Sequence, residues 1–351
     1  MNRRELLKSA AITAAITMIP MNSIFSFNST KTKIKKLKPK RLNKGDLLGL
    51  VAPASFIDEK DLNNAIEQME KLGFRTKYND KILSRYGYLG GTDKERANDL
   101  ESLFADKEVK GIICVRGGYG TPRLSPILNY NIIKNNPKVL CGYSDITSLI
   151  YSIYSQTGLV GFHGPVATST YNDFSLNYFI NTLIEPQNNL VLNSATDEDP
   201  ADTDFQRYAI NEGVCEGILA GGNLSLVVSH IGTKYDIDLK GKILFLEEIN
   251  EEPYRIDRML TQMINAGKFE GISGIALGVF KGCEKKKRDA SFHESLTLKD
   301  VLIDRLKPLN IPTFYGFSFG HIKNKFTLPI GIKAKLDTNK QTLTLLEPAV
   351  L

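Results

Sequence analysis

The sequence predicts an α/β protein built on parallel sheets. In the first half, apolar runs of strand length alternate with stretches of helical periodicity. Several of these runs end in glycine, serine or proline, as buried parallel strands commonly do where they leave the sheet. The same alternation begins again after Gly213, so the 351 residues are expected to form two α/β units.

Strands and helices alternate regularly through the first unit. A strand from Leu47 ends in the small-residue loop 52–55, and further strands are predicted at 74–78, 109–115, 139–141 and 159–165. Helices are predicted at 58–72, 93–106 and 146–154, with a helix start at 122–128. Small-residue loops also occupy 117–120 and 142–145. Because ligands of parallel sheets bind at the carboxyl ends of strands, these three loops mark the expected site.

The second unit shows the same alternation of strands and helices after a polar connecting segment. From Cys215 we predict a strand, a glycine turn at Gly221-Gly222 and a helix through His230. Further strands are expected at 242–248, 274–279, 313–317 and 342–346, and helices at 253–264 and 296–306. The predicted boundaries are an N-terminal domain at 46–165, an inter-domain connection at 166–210 and a C-terminal domain at 211–351.

Charge separates a basic leader from the rest of the chain. Residues 1–46 hold 11 of the 45 Lys and Arg residues and 2 of the 39 Asp and Glu residues. The remainder carries 34 basic and 37 acidic side chains, so the formal net charge of +6 belongs to the leader. Nothing in the folded part therefore predicts a nucleic-acid surface.

The leader has the order of an export signal. Two arginines at positions 3 and 4 precede an apolar run from Ala10 to Pro20, an arrangement similar to a twin-arginine signal. We expect a signal-like leader at 1–27, a basic linker at 28–45 and a periplasmic protein. The alternative is a cytoplasmic protein with an uncleaved amphipathic tail. The run is short and interrupted for a transmembrane helix, so membrane contact is expected only through an uncleaved leader.

No metal or cofactor is predicted. The four cysteines lie far apart without a CxxC motif, and no pair among the four histidines has metal-ligand spacing. Cys114 and Cys141 lie in apolar runs and are read as small buried residues. The glycine loop at 117–120 lacks the P-loop pattern and the full GxGxxG, so nucleotide binding is disfavoured.

Ser144 is the candidate nucleophile. It follows the strand 139–141 and Gly142 and opens the helix from Ile146, a corner from which a hydroxyl projects free of the sheet. Backbone N–H groups at Asp145 and Gly118 are candidate oxyanion donors beside it. The competing interpretation is that Ser144 only caps the helix.

Glu247 and His321 are the candidate partners of the serine. The strand 242–248 ends in two glutamates, and its period of two sends Glu247 to the face of Phe245 and Glu248 to the other. His321 lies in a loop between apolar segments, where it is suited to act as a base. The competing interpretations are a solvent-exposed strand-end charge and a surface histidine without a role.

Several segments together resemble the LD-carboxypeptidase family of serine peptidases, which includes muramoyl-tetrapeptide carboxypeptidase and the microcin-immunity peptidase. They span about 46–335 in family order and are Val51–Ser55, Arg116–Gly120 with Arg123-Leu124, Gly142–Asp145, His163–Pro165, Gly221–Leu224, Leu246–Glu248 with Pro253–Arg258, and Gly320-His321 with Leu328–Gly331. Each segment alone is a weak signal, but their joint occurrence is highly specific.

The resemblance implies a nucleophile at Ser144, a general base at His321 and an orienting carboxylate at Glu247, with oxyanion donors at Gly118 and Asp145. It also implies a flavodoxin-like N-terminal domain, a swivelling β/α C-terminal domain, a site between them and a homodimer. The implied reaction releases the terminal D-amino acid of cell-wall peptides. The export leader departs from the family's recycling enzymes, which are generally cytoplasmic.

Two interpretations compete with a murein tetrapeptide carboxypeptidase. One is a self-immunity peptidase that uses the same residues to cleave a peptide–nucleotide antibiotic. The other is a non-catalytic module that binds wall peptides. For the carboxypeptidase, Arg116 or Arg123 is the candidate ligand of the substrate's terminal carboxylate.

Overall fold

Two sheets organise the part of the chain that the computed structural model describes, residues 35–197, 202–285 and 294–351. The predicted leader at 1–27 lies outside these residues, as does the linker up to residue 34. No helix among the described residues is long and apolar enough to cross a membrane.

The first sheet is the predicted parallel sheet with one strand added from far along the chain. Its members are β1 (Leu47–Val51), β2 (Arg75–Lys77), β3 (Val109–Cys114), β4 (Val139–Gly142), β5 (Phe162–His163) and β12 (Leu328–Pro329). The order is β12-β5-β4-β3-β1-β2; β1 to β5 pair in parallel and β12 pairs antiparallel with β5. The strand predicted at 159–165 is only two residues long.

Helices connect these strands as the periodicity predicts. They are α1 (Glu59–Lys71), α2 (Asp93–Ala105), α3 (Tyr130–Asn135) and α4 (Ile146–Thr157). Capping boxes begin α1 at Asp58 and α2 at Thr92, which satisfies the first backbone N–H groups of each helix. The helix start predicted at 122–128 is instead a single 3-10 turn, Thr121–Arg123, and α3 begins later because Asn129 caps it.

The second sheet has eight strands with a parallel centre. It contains β6 (Leu190–Asn193), β7 (Tyr208–Asn211), β8 (Val214–Asn223), β9 (Lys242–Ile249), β10 (Gly274–Lys281), β11 (Thr313–Tyr315), β13 (Lys333–Asp337) and β14 (Thr342–Leu345). The order is β6-β14-β13-β8-β9-β10-β11-β7, in which β8 to β11 run parallel. Four further helices of the described residues follow β5 in the chain: α5 (Asp173–Leu183), α6 (Leu224–Ser229), α7 (Pro253–Asn265) and α8 (Leu298–Leu306).

The glycine turn predicted at Gly221-Gly222 is wrong, because strand β8 continues through both glycines to Asn223. A Cβ at Gly221 would lie 1.8 Å from the Phe245 carbonyl oxygen, and φ is +154° there. Gly221 therefore permits a close approach of β8 to β9 rather than a reversal of the chain, and Gly222 permits a close approach to Thr147 of α4.

The polar segment 166–210 contains more regular structure than its composition indicated. It supplies α5, and its strands β6 and β7 form the two edges of the second sheet. Edge strands are short and need little apolar character, which explains their weak signal. The α/β fold class with a parallel N-terminal sheet and a second sheet is confirmed.

Candidate active site

Ser144 lies at a strained corner between β4 and α4. Its φ is +65°, in the left-handed region that residues other than glycine rarely adopt. Such a conformation costs about 1–3 kcal/mol, and strained residues of this kind cluster at functional sites. Asp145 holds the N-cap position of α4, and no side chain caps that helix among the described residues. The Ser144 hydroxyl is therefore not used as a helix cap.

The glycine loop packs directly against this serine. A Cβ at Gly117 would lie 3.0 Å from Ser144 Cβ, and a Cβ at Gly118 would lie 2.3 Å from Ser55 Oγ. Gly118 also has a φ of +117°. The backbone N–H groups of Gly118 and Asp145 donate to no acceptor in the described part of the chain. Both donors are thus available for a developing oxyanion.

Buried polar contacts hold the loop and the corner together. The Asp145 carboxylate accepts from the Thr121 N–H at 2.8 Å, and the Thr121 hydroxyl donates to the Asp145 carbonyl at 2.5 Å. The buried Arg96 donates to the carbonyls of Pro53 and Gly120, and it pairs with Asp93 at 2.6 Å. Arg96 therefore ties the loop after β1 to the glycine loop, a role that sequence analysis missed.

Glu247 and His321, the candidate partners of the serine, lie in direct contact. His321 Nδ1 lies 2.8 Å from Glu247 Oε2, although 74 residues separate them. Glu247 is fully buried. Burial alone would raise the pKa of Glu247, but the charge and hydrogen bond of His321, together with His163, hold that pKa at about 2. An ionised carboxylate at Nδ1 leaves Nε2 of the ring as the base.

Glu248 has a different environment on the opposite face of β9. Its carboxylate accepts from Asn223 Nδ2 at 2.8 Å and from the N–H and hydroxyl of Ser225 at 2.8 and 2.7 Å. Burial raises the pKa of Glu248. Its contacts fix the start of α6, so the two neighbouring glutamates divide into one site residue and one structural residue.

His163 is a site residue to which the sequence analysis assigned no role. Its buried Nε2 lies 3.6 Å from Glu247 Oε1, so the carboxylate faces an imidazole on each oxygen. A signal was present in the sequence. His163 ends β5, which neighbours β4 in the sheet, and it therefore shares the edge at which Ser144 lies.

Tyr143 joins the serine corner to the histidine loop. Its ring packs edge-on against His321 with 5.0 Å between centroids, and the next residue is Ser144. Among the described residues, no hydrogen bond joins the Ser144 hydroxyl to His321. Catalytic hydrogen bonds are often longer before the substrate binds and tighten in the Michaelis complex.

The loop that carries His321 is anchored on α5. Asn172 Nδ2 donates to Asn324 Oδ1 at 2.6 Å, and Asn324 Nδ2 donates to Asp197 at 2.7 Å. The Ser175 hydroxyl accepts from the Lys325 N–H at 3.0 Å and donates to the Lys323 carbonyl at 3.2 Å. The segment predicted as a connection therefore positions the base.

The remaining candidates lie apart from these contacts. Arg123 donates twice to Asp93, at 3.1 and 2.9 Å, which favours a structural role over binding of the substrate carboxylate. The Arg116 side chain is exposed. His230 is buried with Nε2 2.8 Å from Ser148 Oγ of α4, and His293 lies outside the described residues.

Comparisons with known proteins place the chain in a family. Residues 48–164 match the model of the LD-carboxypeptidase N-terminal domain, and residues 216–336 match that of the C-terminal domain. The chain belongs to the LD-carboxypeptidase family, so it is a peptidase of the carboxypeptidase class.

One curated relative and two solved structures are similar to the chain over most of its length. A "Probable murein peptide carboxypeptidase" of Bacillus subtilis is 39% identical over 325 residues, which cover 92% of this chain and 96% of the relative. An MccF-like protein from Bacillus anthracis has a TM-score of 0.76 at 28% identity, covering 89% of this chain and 99% of that one. Muramoyltetrapeptide carboxypeptidase from Oxalobacter formigenes has a TM-score of 0.72 at 29% identity, with 85% and 97% covered.

Proposed function

We propose that this protein is a serine LD-carboxypeptidase that releases the terminal D-alanine of murein tetrapeptides through an acyl-enzyme. The observation that carries the proposal is the buried Glu247–His321 pair at 2.8 Å, packed through Tyr143 against a serine in a strained strand-to-helix corner. Family membership and the murein peptide relative support the same reaction and the same substrate class.

Each group has one role in the proposed reaction. Ser144 Oγ attacks the carbonyl of the penultimate residue while His321 Nε2 takes its proton. The N–H groups of Gly118 and Asp145 stabilise the oxyanion, and the ionised Glu247 stabilises the imidazolium. The imidazolium then protonates the leaving D-alanine amine. A water molecule, activated by His321, hydrolyses the acyl-serine and restores the enzyme.

Replacement of the nucleophile tests the reaction. The Ser144→Ala protein should release D-alanine from tetrapeptide at least about 10⁴-fold more slowly than the parent, because no acyl-enzyme forms. A fluorophosphonate should label the parent at Ser144 and leave the variant unlabelled. Ser155→Ala is the matched control and should retain parental turnover, because the hydroxyl of this half-buried serine bonds to Ser152 and Gln156 within α4. Parental D-alanine release by Ser144→Ala would refute the proposal.

The two competing functions predict different results in the same assay. The similarity to the MccF-like protein supports the hypothesis of a self-immunity peptidase. Such an enzyme would cleave a peptide–nucleotide conjugate faster than tetrapeptide. A binding module would hold tetrapeptide without turnover and without labelling of Ser144. Measuring kcat/KM for both substrates side by side separates the three outcomes.

We also propose that the protein is exported to the periplasm and acts as a homodimer. The paired arginines and apolar run of the leader support export, and the family resemblance supports the dimer. Replacing both Arg3 and Arg4 by Lys should retain the protein in the cytoplasmic fraction. Sedimentation equilibrium of the mature chain should give twice the chain mass; a monomer mass would refute the dimer.

A further inference from the structure

Lys325 is a buried cation beside the candidate site that the reaction scheme leaves without a role. The residue is 7% exposed. Its backbone N–H bonds to Ser175, but its ammonium makes no hydrogen bond or ion pair within the described ranges. Buried lysines that form no direct ion pair are rare because desolvation of the charge is costly. An ammonium without a direct partner, on a side chain this deeply buried, therefore calls for a ligand.

The ammonium lies next to the reacting groups. Lys325 Nζ is 4.8 Å from the centroid of the Tyr143 ring, and the same ring packs against His321 at 5.0 Å. Tyr143 directly precedes Ser144. The aromatic face provides part of the stabilisation that the cation lacks from hydrogen bonds. Lys325 and His321 thus contact one ring, which adjoins the nucleophile.

Substrate chemistry supplies the missing partner. This inference rests on the proposed function. The substrate of a carboxypeptidase carries a free carboxylate on the leaving residue, and one Cα separates that carboxylate from the scissile nitrogen. That anion must enter a site whose fully buried Glu247 is already negative. A cation beside the leaving group offsets this repulsion and rejects peptides that continue past the scissile bond.

The two arginines predicted for this task are less well placed. Arg123 is held by two hydrogen bonds to Asp93, and the Arg116 side chain is exposed to solvent. An exposed cation contributes little binding energy because water screens its charge, whereas a desolvated one contributes much more. We propose that the Lys325 ammonium binds the terminal carboxylate of the substrate and so makes the enzyme a carboxypeptidase.

The charge state of Lys325 is compatible with this role. Burial lowers the pKa of the lysine, while the negative charge of Glu247 raises it, and the value is about 8. The side chain therefore remains mainly protonated at neutral pH. A bound carboxylate would stabilise the charged form further.

The experiment compares two substrates, a tetrapeptide ending in free D-alanine and the same peptide ending in D-alanine amide. For the parent, kcat/KM should be about 100-fold higher for the free acid, since the amide leaves a buried cation unpaired. Lys325→Met should lose about 100-fold on the free acid, mainly in KM, and change little on the amide. Lys325→Arg should retain most of the preference for the acid.

Controls separate this inference from the proposed function and from misfolding. Lys323→Met changes an exposed lysine of the same loop and should retain parental selectivity. Neutral fluorophosphonate should label Ser144 equally fast in the parent and in Lys325→Met. A parent that cleaves neither peptide refutes the proposed function. A parent that cleaves acid and amide equally well, or a Lys325→Met protein that loses both activities and labelling in parallel, refutes the role of Lys325 alone.

Discussion

The serine corner and the histidine loop are positioned in different ways. Ser144 is held by its immediate neighbours, since strand β4, Gly142 and the first turn of α4 fix the backbone around it. His321 is held by partners that are distant in the sequence. Its ring contacts Glu247, 74 residues earlier, and its loop bonds to the start of α5, about 150 residues earlier. The corner is local structure, whereas the loop depends on long-range side-chain contacts.

This difference predicts which catalytic groups a substitution in each part of the site should impair. A substitution at the corner alters the backbone that carries the nucleophile and the oxyanion donors, while the fold around it remains. A substitution among the loop contacts alters the orientation or charge of the base.

Glu247→Gln should have the largest effect, on the histidine side. An amide cannot stabilise the imidazolium, so kcat should fall about 10³- to 10⁴-fold. The free energy of unfolding should decrease when the pH falls from about 4.5 towards 2 in the parent, because the folded pKa of Glu247 is lowered to about 2. The ionised Glu247 contributes its full stabilisation above the pKa that this residue has in the unfolded chain. Glu247→Gln should remove this pH-dependent stabilisation. Steady-state kinetics and urea titrations between pH 2.5 and 7 measure both effects.

Glu248→Gln is the matched control on the other face of β9. It retains one acceptor oxygen for Asn223 or Ser225, so it should cost about 1–2 kcal/mol of stability and less than about 10-fold in kcat. Equal losses of kcat in both variants would contradict the division of roles between the two glutamates.

Gly118→Ala should have the next largest effect, on the serine side. The new Cβ would lie 2.3 Å from Ser55 Oγ at a φ of +117°, so the loop must shift and carry the oxyanion donor with it. Loss of one such donor costs about 10²- to 10³-fold in kcat. Gly87 is the control for backbone strain, because it lies in an open turn with φ +60° and no atom of the described residues lies within 4 Å of its Cβ position. A Gly118→Ala enzyme no slower than Gly87→Ala would exclude the oxyanion role.

His230→Gln should have the smallest effect on catalysis and tests how the two halves are joined. His230 of the second half meets Ser148 of α4, and burial lowers the pKa of this histidine to about 4. A histidine with a depressed folded pKa contributes its full stability above its unfolded pKa of about 6.5. The contribution is lost as the pH falls towards 4, which amounts to about 3 kcal/mol.

Denaturant unfolding at pH 7 and pH 4.5 measures this pH dependence. The parent should lose stability over that interval, and His230→Gln should lose markedly less. An identical decrease in both proteins would show that His230 is not the group that titrates. Activity at pH 7 should change less than about 10-fold, since neither His230 nor Ser148 contacts the proposed substrate groups.

Features that depend on near neighbours in the chain could be predicted from the sequence. Hydrophobic periodicity predicted the strands and helices, and the order strand, glycine, serine, helix predicted the corner at Ser144. The period of two in strand β9 also predicted that Glu247 and Glu248 face opposite ways, as their separate partners show.

Tertiary structure alone decided which polar groups meet. Sequence spacing could not reveal that His163 faces Glu247 or that α5 holds the histidine loop. It also could not reveal that Lys325 is buried and forms no direct ion pair with any residue that the structure describes. It also predicted a turn at Gly221-Gly222, where β8 in fact continues against β9. Periodicity reports which face of an element is buried, but contacts over 70 to 150 residues depend on how the sheets assemble, and no local pattern records that assembly.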